Sequence, residues 1–331
     1  MTRKLLAALL LTTLAATACS STDSAGGSTS GGAASGSGVT LRVGDQKAGS
    51  QALLKAAGLL DGTSYKITWS QFTSGPPMLE AINAGAVDIG GVGNTPPIFA
   101  AAAGSKIKVV SAYRQNLAAA AILVPQNSAI ASPDQLKDKK VAVAKGSSAH
   151  YHLLSVLKKS GLSFKDIQPQ YLQPADALAA FSSGTIDAWA IWDPFTSQAE
   201  LQNKARLLVD GNGYVNGLNF QVAAPGALED AGKDAAIRDY LTRLTKARVW
   251  AAGHQAEWAK VWAQETGLPV EVANAAVANT VATPIVIDDS VVTSEQQMAD
   301  AFGAEGLIPG GLTFSDFVDD RFNDVVAKGQ Q

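Results

Sequence analysis

One ten-residue pattern occurs twice, and its spacing limits what this chain can fold into. Leu79-Glu-Ala-Ile-Asn-Ala-Gly-Ala-Val-Asp88 and Leu178-Ala-Ala-Phe-Ser-Ser-Gly-Thr-Ile-Asp187 both read L-x-A-apolar-x-x-G-x-apolar-D, at an offset of 99 residues. Each is an amphipathic helix stopped by a glycine able to take a left-handed C-cap, followed by a β-branched residue entering a strand. A period repeated once at domain length predicts two copies of one α/β unit and not a solenoid. The same offset places Asn94 on Asp193.

The surrounding sequence has the matching rhythm. Strand patterns at 39–43, 65–69, 88–92 and 108–113 alternate with helix patterns at 51–60, 77–84 and 96–103. The alternation restarts with strands at 140–144, 167–172 and 188–191 and helices at 150–160 and 176–182. This predicts an α/β fold of two open sheets. Open α/β sheets bind ligands beyond the carboxyl ends of their strands, so two facing units enclose a cleft. The chain is expected to leave the first lobe near Val124-Pro125 and return near residues 222–224. Lobe I is then 39–123 plus 223–331 and lobe II is 124–222, joined by a two-segment hinge. In the helical last third, Ile237, Tyr240, Leu241, Leu244 and Val249–Trp250 recur at helical spacing, as do Trp258, Val261 and Trp262, which reads as core packing against the first lobe.

The loops expected at the cleft are 44–47, 73–76, 93–96, 145–148, 173–176 and 192–194. Thr95 precedes Pro96, Ser74-Gly75 precedes Pro76-Pro77, and Ser147-Ser148 precedes Ala149, so three of these loops open helices. Unsatisfied N–H groups and a partial positive charge at helix N-termini favour an anion. The hydroxyls of Ser74, Thr95, Ser147 and Ser148 add donors without adding charge. Trp192, at a strand end, either fills the core or covers an apolar ligand tail. Asp193 either bonds across the mouth or caps the next turn.

The amino terminus differs from the rest of the 331 residues. Arg3 and Lys4 precede an apolar run over 5–14, and Ala16-Thr17-Ala18-Cys19 ends it, as in a lipoprotein signal of residues 1–18. The run is too short to span a bilayer permanently. Residues 20–38 hold seven Ser and six Gly in nineteen positions. With the lipidated Cys19 they form an expected tether, 19–38, whose reach is roughly 24 Å. Removing the signal leaves 24 basic against 29 acidic residues, a charge of −5. No basic footprint for a nucleic acid exists. One cysteine excludes a disulfide scaffold.

The strings LRVGDQK, GNTPP, KGSSAHY and AIWDP, with longer matches over residues 41–211, resemble the sulfonate, nitrate and taurine solute-binding proteins of ABC importers, most nearly those for aliphatic sulfonates. The resemblance implies a two-lobed periplasmic-binding-protein fold. It implies an extracytoplasmic protein, monomeric and attached to the membrane only through its lipid, that delivers a small anion to a permease. Ligand contacts are implied at Gln46, Ser74, Gly75, Asn94, Thr95, Ser147, Ser148, His150 and Trp192, with Asp193 beside them. Taurine, nitrate or a sulfate ester are the alternative ligands. The chain departs from the family at Asp45, where an aromatic is common, and at Asn94, where Asp is common. A carboxylate at 45 suits an anion site only if it turns away or pairs with Lys47.

An enzyme built on the same fold is the alternative class. Ser147, Ser148 and His150 are too close in sequence to form a triad by themselves, and no G-x-S-x-G elbow or phosphate-binding glycine loop is present. His150 and His152 point about 200° apart on a helix, which is poor for one metal. Neither an enzyme nor a cofactor is expected.

Overall fold

The computed structural model describes residues 38–329. The signal, Cys19 and all of the expected tether except Gly38 lie outside the described residues. β1 (Thr40–Gln46), α1 (Ser50–Ala56), β2 (Lys66–Phe72), α2 (Gly75–Asn83), β3 (Ile89–Gly93), α3 (Thr95–Ala102) and β4 (Lys108–Gln115) follow in the alternating order the sequence predicts. A second unit follows: β5 (Ala120–Pro125), β6 (Lys140–Val143), α4 (Ser148–Lys159), β7 (Gln168–Tyr171), α5 (Pro174–Ser182), β8 (Ala188–Trp192), α6 (Phe195–Gln202) and β9 (Ala205–Asp210). β10 (Leu218–Ala223) leads into α7 (Pro225–Glu229), α8 (Ala231–Gly253), α9 (Gln255–Thr266), α10 (Val270–Asn279), β11 (Ala282–Ile285), α11 (Asp289–Ala304) and α12 (Asn323–Gly329).

The two sheets share one plan. The first is ordered β2-β1-β3-β10-β4 with β11 at its edge, and the second β7-β6-β8-β5-β9. In each, three parallel strands are followed by a fourth that runs antiparallel to both its neighbours. That fourth strand is exchanged. β5 directly follows β4 but pairs in the second sheet, and β10 follows β9 but pairs in the first.

The chain therefore crosses between sheets at 116–119 and 211–217, earlier in each case than the sequence suggests. Val124 and Pro125 are paired with Arg206 and Ala205, and Val222 and Ala223 with Gly90 and Ile89. Backbone already paired in a ladder has no freedom to change sheets, so the expected crossing points fall inside strands. Where the crossings meet, the Gln115 N–H donates to the Gly217 carbonyl at 2.9 Å. Gly217 has φ +70°, and a Cβ there would lie 2.6 Å from the Gln115 carbonyl oxygen, so only glycine fits this approach.

The repeat is visible in three dimensions. α2 and α5, and β3 and β8, begin 99 residues apart, and Gly85 and Gly184 both take φ +71° just past their helices. The aspartates that close the pattern also do the same work. Asp88 Oδ2 accepts from the Arg42 N–H at 2.8 Å, and Asp187 Oδ2 from the Lys140 N–H at 2.8 Å, each pinning the start of its sheet's central parallel strand. Ile237, Tyr240, Leu241 and Leu244 of α8 are buried with Leu41, Val43 and Ile89 of the first sheet, as their spacing predicts, but Val249, five residues past Leu244 and so about 140° round the helix from it, is exposed, and Trp250 is half-buried.

Asp88 carries more load than its counterpart. It is buried, and its Oδ1 receives both the Arg42 guanidinium at 2.5 Å and the Lys233 ammonium at 2.9 Å. Burial alone would raise its pKa, but the bonds from Arg42 and Lys233 hold it below the ordinary carboxylate value. Asp88→Asn is expected to lower stability by about 1–3 kcal/mol, since it leaves two cations without their carboxylate. A depressed pKa gives stability that is present above the unfolded value and lost on acidification. Denaturant melts should therefore show the two forms converging as pH falls below about 4. A gap that did not narrow as pH fell below about 4 would contradict this account.

Candidate functional site

A cavity of about 210 Å³ lies between the two sheets. Its wall is made by the ends of β1 and β3, by β4 and β10, by the start of α4 and the end of β8, and by α8 and α9.

Arg248 of α8 is its strongest charge. The residue is 8% exposed, and its guanidinium carbon sits 3.7 Å from the centroid of the Tyr113 ring, so the group is stacked and held flat. It makes no hydrogen bond or ion pair among the described residues and faces the cavity. A desolvated guanidinium with its donors unused is a prepared anion site. Lys47 also lines the cavity, 5.8 Å from the Phe195 ring centroid, and burial lowers its pKa.

The carboxylates in the wall are turned to other tasks. Asp45 accepts from the N–H groups of Ser50 at 2.8 Å and Gln51 at 2.9 Å, capping α1. Burial pushes its pKa up to about 6 against those two bonds. A Cβ at Gly49 would lie 2.0 Å from Asp45 Oδ1, so this glycine leaves the room the cap needs. Asp193 Oδ1 accepts from the Ser197 N–H at 3.0 Å and hydroxyl at 2.5 Å, and Oδ2 from Asn279 Nδ2 at 3.0 Å. Burial raises the pKa of Asp193 as well.

Part of the wall is aromatic and apolar. Trp258 and Trp262 stack with centroids 5.9 Å apart and planes 15° apart, and Trp192, Val277, Ala251 and Ala252 complete this surface. The Trp262 Nε1 donor is buried without a partner.

Of the residues expected from sequence, Gln46, Ser148, Trp192 and Asp193 line the cavity. Asn94 lines a smaller space of about 30 Å³ beside it. The others face elsewhere. Ser74 Oγ donates to Gln173 Oε1 at 2.9 Å, joining the loop after β2 to the loop after β7. A Cβ at Gly75 would lie 2.6 Å from the Pro96 ring, so Gly75 serves the packing of α2 on α3. Thr95 Oγ1 bonds Asn94 Oδ1 at 3.1 Å and meets Met298 Sδ at 3.3 Å. Ser147 Oγ donates to the Ala144 carbonyl at 2.7 Å. His150 is boxed by Phe99, Phe164, Tyr171 and Phe302, its Nδ1 accepts from the Gly146 N–H at 3.2 Å, and burial pushes its pKa down to about 3. These hydroxyls and this imidazole hold the helix starts in place.

Sequence reasoning missed Arg248, Tyr113, Asn219 and Gln221, whereas Trp258 and Trp262, read as core, are buried in a cluster with Ala259, Ala273 and Val277 and line the cavity as well. For the β10 pair a signal existed. In Leu-Asn-Phe-Gln-Val the polar residues alternate at strand period, which puts both amides on one face.

The NMT1-like family matches residues 46–212. The chain belongs to this family. It is 40% identical over 81% of its length to an Escherichia coli (strain K12) protein named for binding aliphatic sulfonates, 85% of which is covered. Among solved structures, the alkanesulfonate-binding protein SsuA from Xanthomonas axonopodis pv. citri, bound to MOPS, superposes with a TM-score of 0.77 at 37% identity, covering 85% of this chain and 98% of that one. The periplasmic aliphatic sulphonate binding protein SsuA from Escherichia coli gives 0.76 at 38% identity, over 86% and 92% of the two chains.

In this NMT1-like protein a buried network ties the second crossing to the C-terminal helices. Asn94 Nδ2 donates to Asn216 Oδ1 at 2.8 Å, and Asn216 Nδ2 donates to Glu295 Oε1 at 2.8 Å and to Ser294 Oγ at 2.9 Å. Glu295 is fully buried, its Oε2 has no partner, and burial pushes its pKa up to about 8. The folded state thus holds a proton that the unfolded chain releases near pH 4.5. Stability from this group is complete below that pH and is lost as pH rises toward 8. Glu295→Gln keeps the carbonyl that Asn216 needs and abolishes the titration. The variant should match the wild type near pH 4 and exceed it at pH 8 by about 1 kcal/mol or more, roughly 2–4 °C in Tm. Parallel stability–pH curves would refute the assignment.

Proposed function

We propose that this NMT1-like protein captures an aliphatic sulfonate in the cavity between its sheets and delivers it to an ABC import permease. The observation that carries the reading is Arg248, a buried and unpaired guanidinium facing a small cavity, in a chain whose full-length relatives are named for sulfonates. A sulfonate spreads one negative charge over three oxygens, two of which suit the planar guanidinium fork. Tyr113 already holds that fork in place, so little side-chain entropy is lost on binding. Ser148 adds a neutral donor, and Trp192, Trp258 and Trp262 cover the carbon tail. The role is capture and release without turnover.

Lobe I and lobe II divide at the two crossings, and bending there opens and closes the cavity. The protein works outside the cytoplasmic membrane, held to it by a lipid on Cys19. Cys19→Ser should move it from the membrane fraction to the soluble extracytoplasmic fraction. Retention in the membrane would count against the anchor.

Calorimetry with alkanesulfonates, taurine, sulfate and nitrate tests the ligand class. Arg248→Gln should weaken the best ligand by about 2–4 kcal/mol, the loss expected when a desolvated charge partner is removed. Ser148→Ala should cost about 1–3 kcal/mol, and Ser147→Ala should leave affinity nearly unchanged because its hydroxyl is spent on Ala144. Wild-type affinity in Arg248→Gln would end the proposal, as would heat from none of the anions.

A further inference from the structure

Gln221 lies at the cavity wall with both amide atoms, Oε1 and Nε2, buried and without a partner. The residue is completely buried in the central part of the first sheet, where an unmatched polar group is costly. Its place is built around it. The strand partner of Gln221 is Gly91, and a Cβ at Gly91 would lie 2.8 Å from Gln221 Nε2, so the amide rests on bare glycine backbone.

Two further amides stand beside it. Asn219, on the same face of β10, faces Gly93 and donates its Nδ2 to the Gly217 carbonyl at 3.1 Å. Gln46 donates its Nε2 to the Gly91 carbonyl at 2.9 Å. Each amide spends one of its two donors on the backbone, and both residues line the cavity. The cavity wall therefore presents carbonyl oxygens as well as donors. A sulfonate headgroup can only accept hydrogen bonds, so it matches Arg248, Ser148 and the Gln221 N–H but leaves the Gln221 oxygen unmatched.

We infer that the preferred ligand is a sulfonate with a hydroxyl on its tail, and that Gln221 is the residue that reads this hydroxyl. A hydroxyl both donates and accepts, so it can satisfy Oε1 and Nε2 together. A neutral donor suits the site better than an ammonium. The cavity already holds Arg248 and Lys47, and its carboxylates, Asp45 and Asp193, are bonded to the backbone of α1, to Ser197 and to Asn279. A site that hydrogen-bonds a substrate hydroxyl discriminates strongly against the analogue lacking it.

The inference rests on the sulfonate reading above, and the test separates the two. Calorimetry on the wild type compares ethanesulfonate, 2-hydroxyethanesulfonate and 2-aminoethanesulfonate, followed by the same series on Gln221→Leu. The hydroxylated ligand should bind the wild type about tenfold or more tightly than ethanesulfonate. Gln221→Leu should bring the two within about threefold, chiefly by weakening the hydroxylated one. If that variant does not fold, Gln221→Met carries the same comparison, and the wild-type preference stands or falls without either. Equal wild-type affinities, or a preference that survives loss of the amide, overturn the role of Gln221 and leave the sulfonate reading intact. Tightest binding of the amino compound overturns the neutral donor. Binding of longer alkanesulfonates but none of the three overturns the hydroxyl reading alone, and heat from no sulfonate at all overturns both.

Discussion

The exchange of one strand between the two sheets is the constraint on which the rest of this molecule depends. Because β5 and β10 each pair in the sheet opposite to the unit they follow or close, the chain must cross twice, and the crossings lie side by side. The Gln115–Gly217 hydrogen bond joins them, and the absence of a side chain at Gly217 makes that approach possible. The same junction supplies cavity wall, since Gln115 and Asn219 line both the main cavity and the small space beside it. Asn216, on the second crossing, is bonded to Asn94 at the end of β3 and to Glu295 on α11. Ligand wall, crossing and C-terminal helix thus share atoms.

The paired sheets were legible because their signals are local. A helix that stops on a left-handed glycine and turns into a strand announces itself within ten residues, and Gly85 and Gly184 adopt the same φ. The crossings were not legible, because Ala-Ile-Leu-Val reads as a buried strand whichever sheet accepts it. The cavity was legible only in its loops. Arg248, Trp258 and Trp262 arrive from the last third of the chain, and an apolar stripe looks the same whether it meets core or ligand. Ser74, Thr95 and Ser147 were correctly placed at helix starts, yet nothing in their spacing tells a hydroxyl facing a cavity from one that bonds its own fold.

An acidic chain can hold an anion because its nearby carboxylates are occupied. Asp45 spends its charge on the N-terminus of α1, and Asp193 spends its own on α6 and on Asn279. The departure at position 45, awkward when read from sequence alone, becomes a structural cap. What remains facing the cavity is a stacked guanidinium, and its field is not cancelled by a bonded neighbour.

The hydroxyls of Thr73 and Ser74 both bond Gln173 Oε1, at 3.1 and 2.9 Å, and Ser74 and Gln173 stand 99 residues apart, at matching places in the repeat. The contact is a seam where the two copies touch through their own equivalent loops. Any motion that parts the sheets at this point first breaks both bonds. Passage through this point, inward or outward, waits on that loss, so two hydroxyls and one amide act on the rate of exchange in both directions.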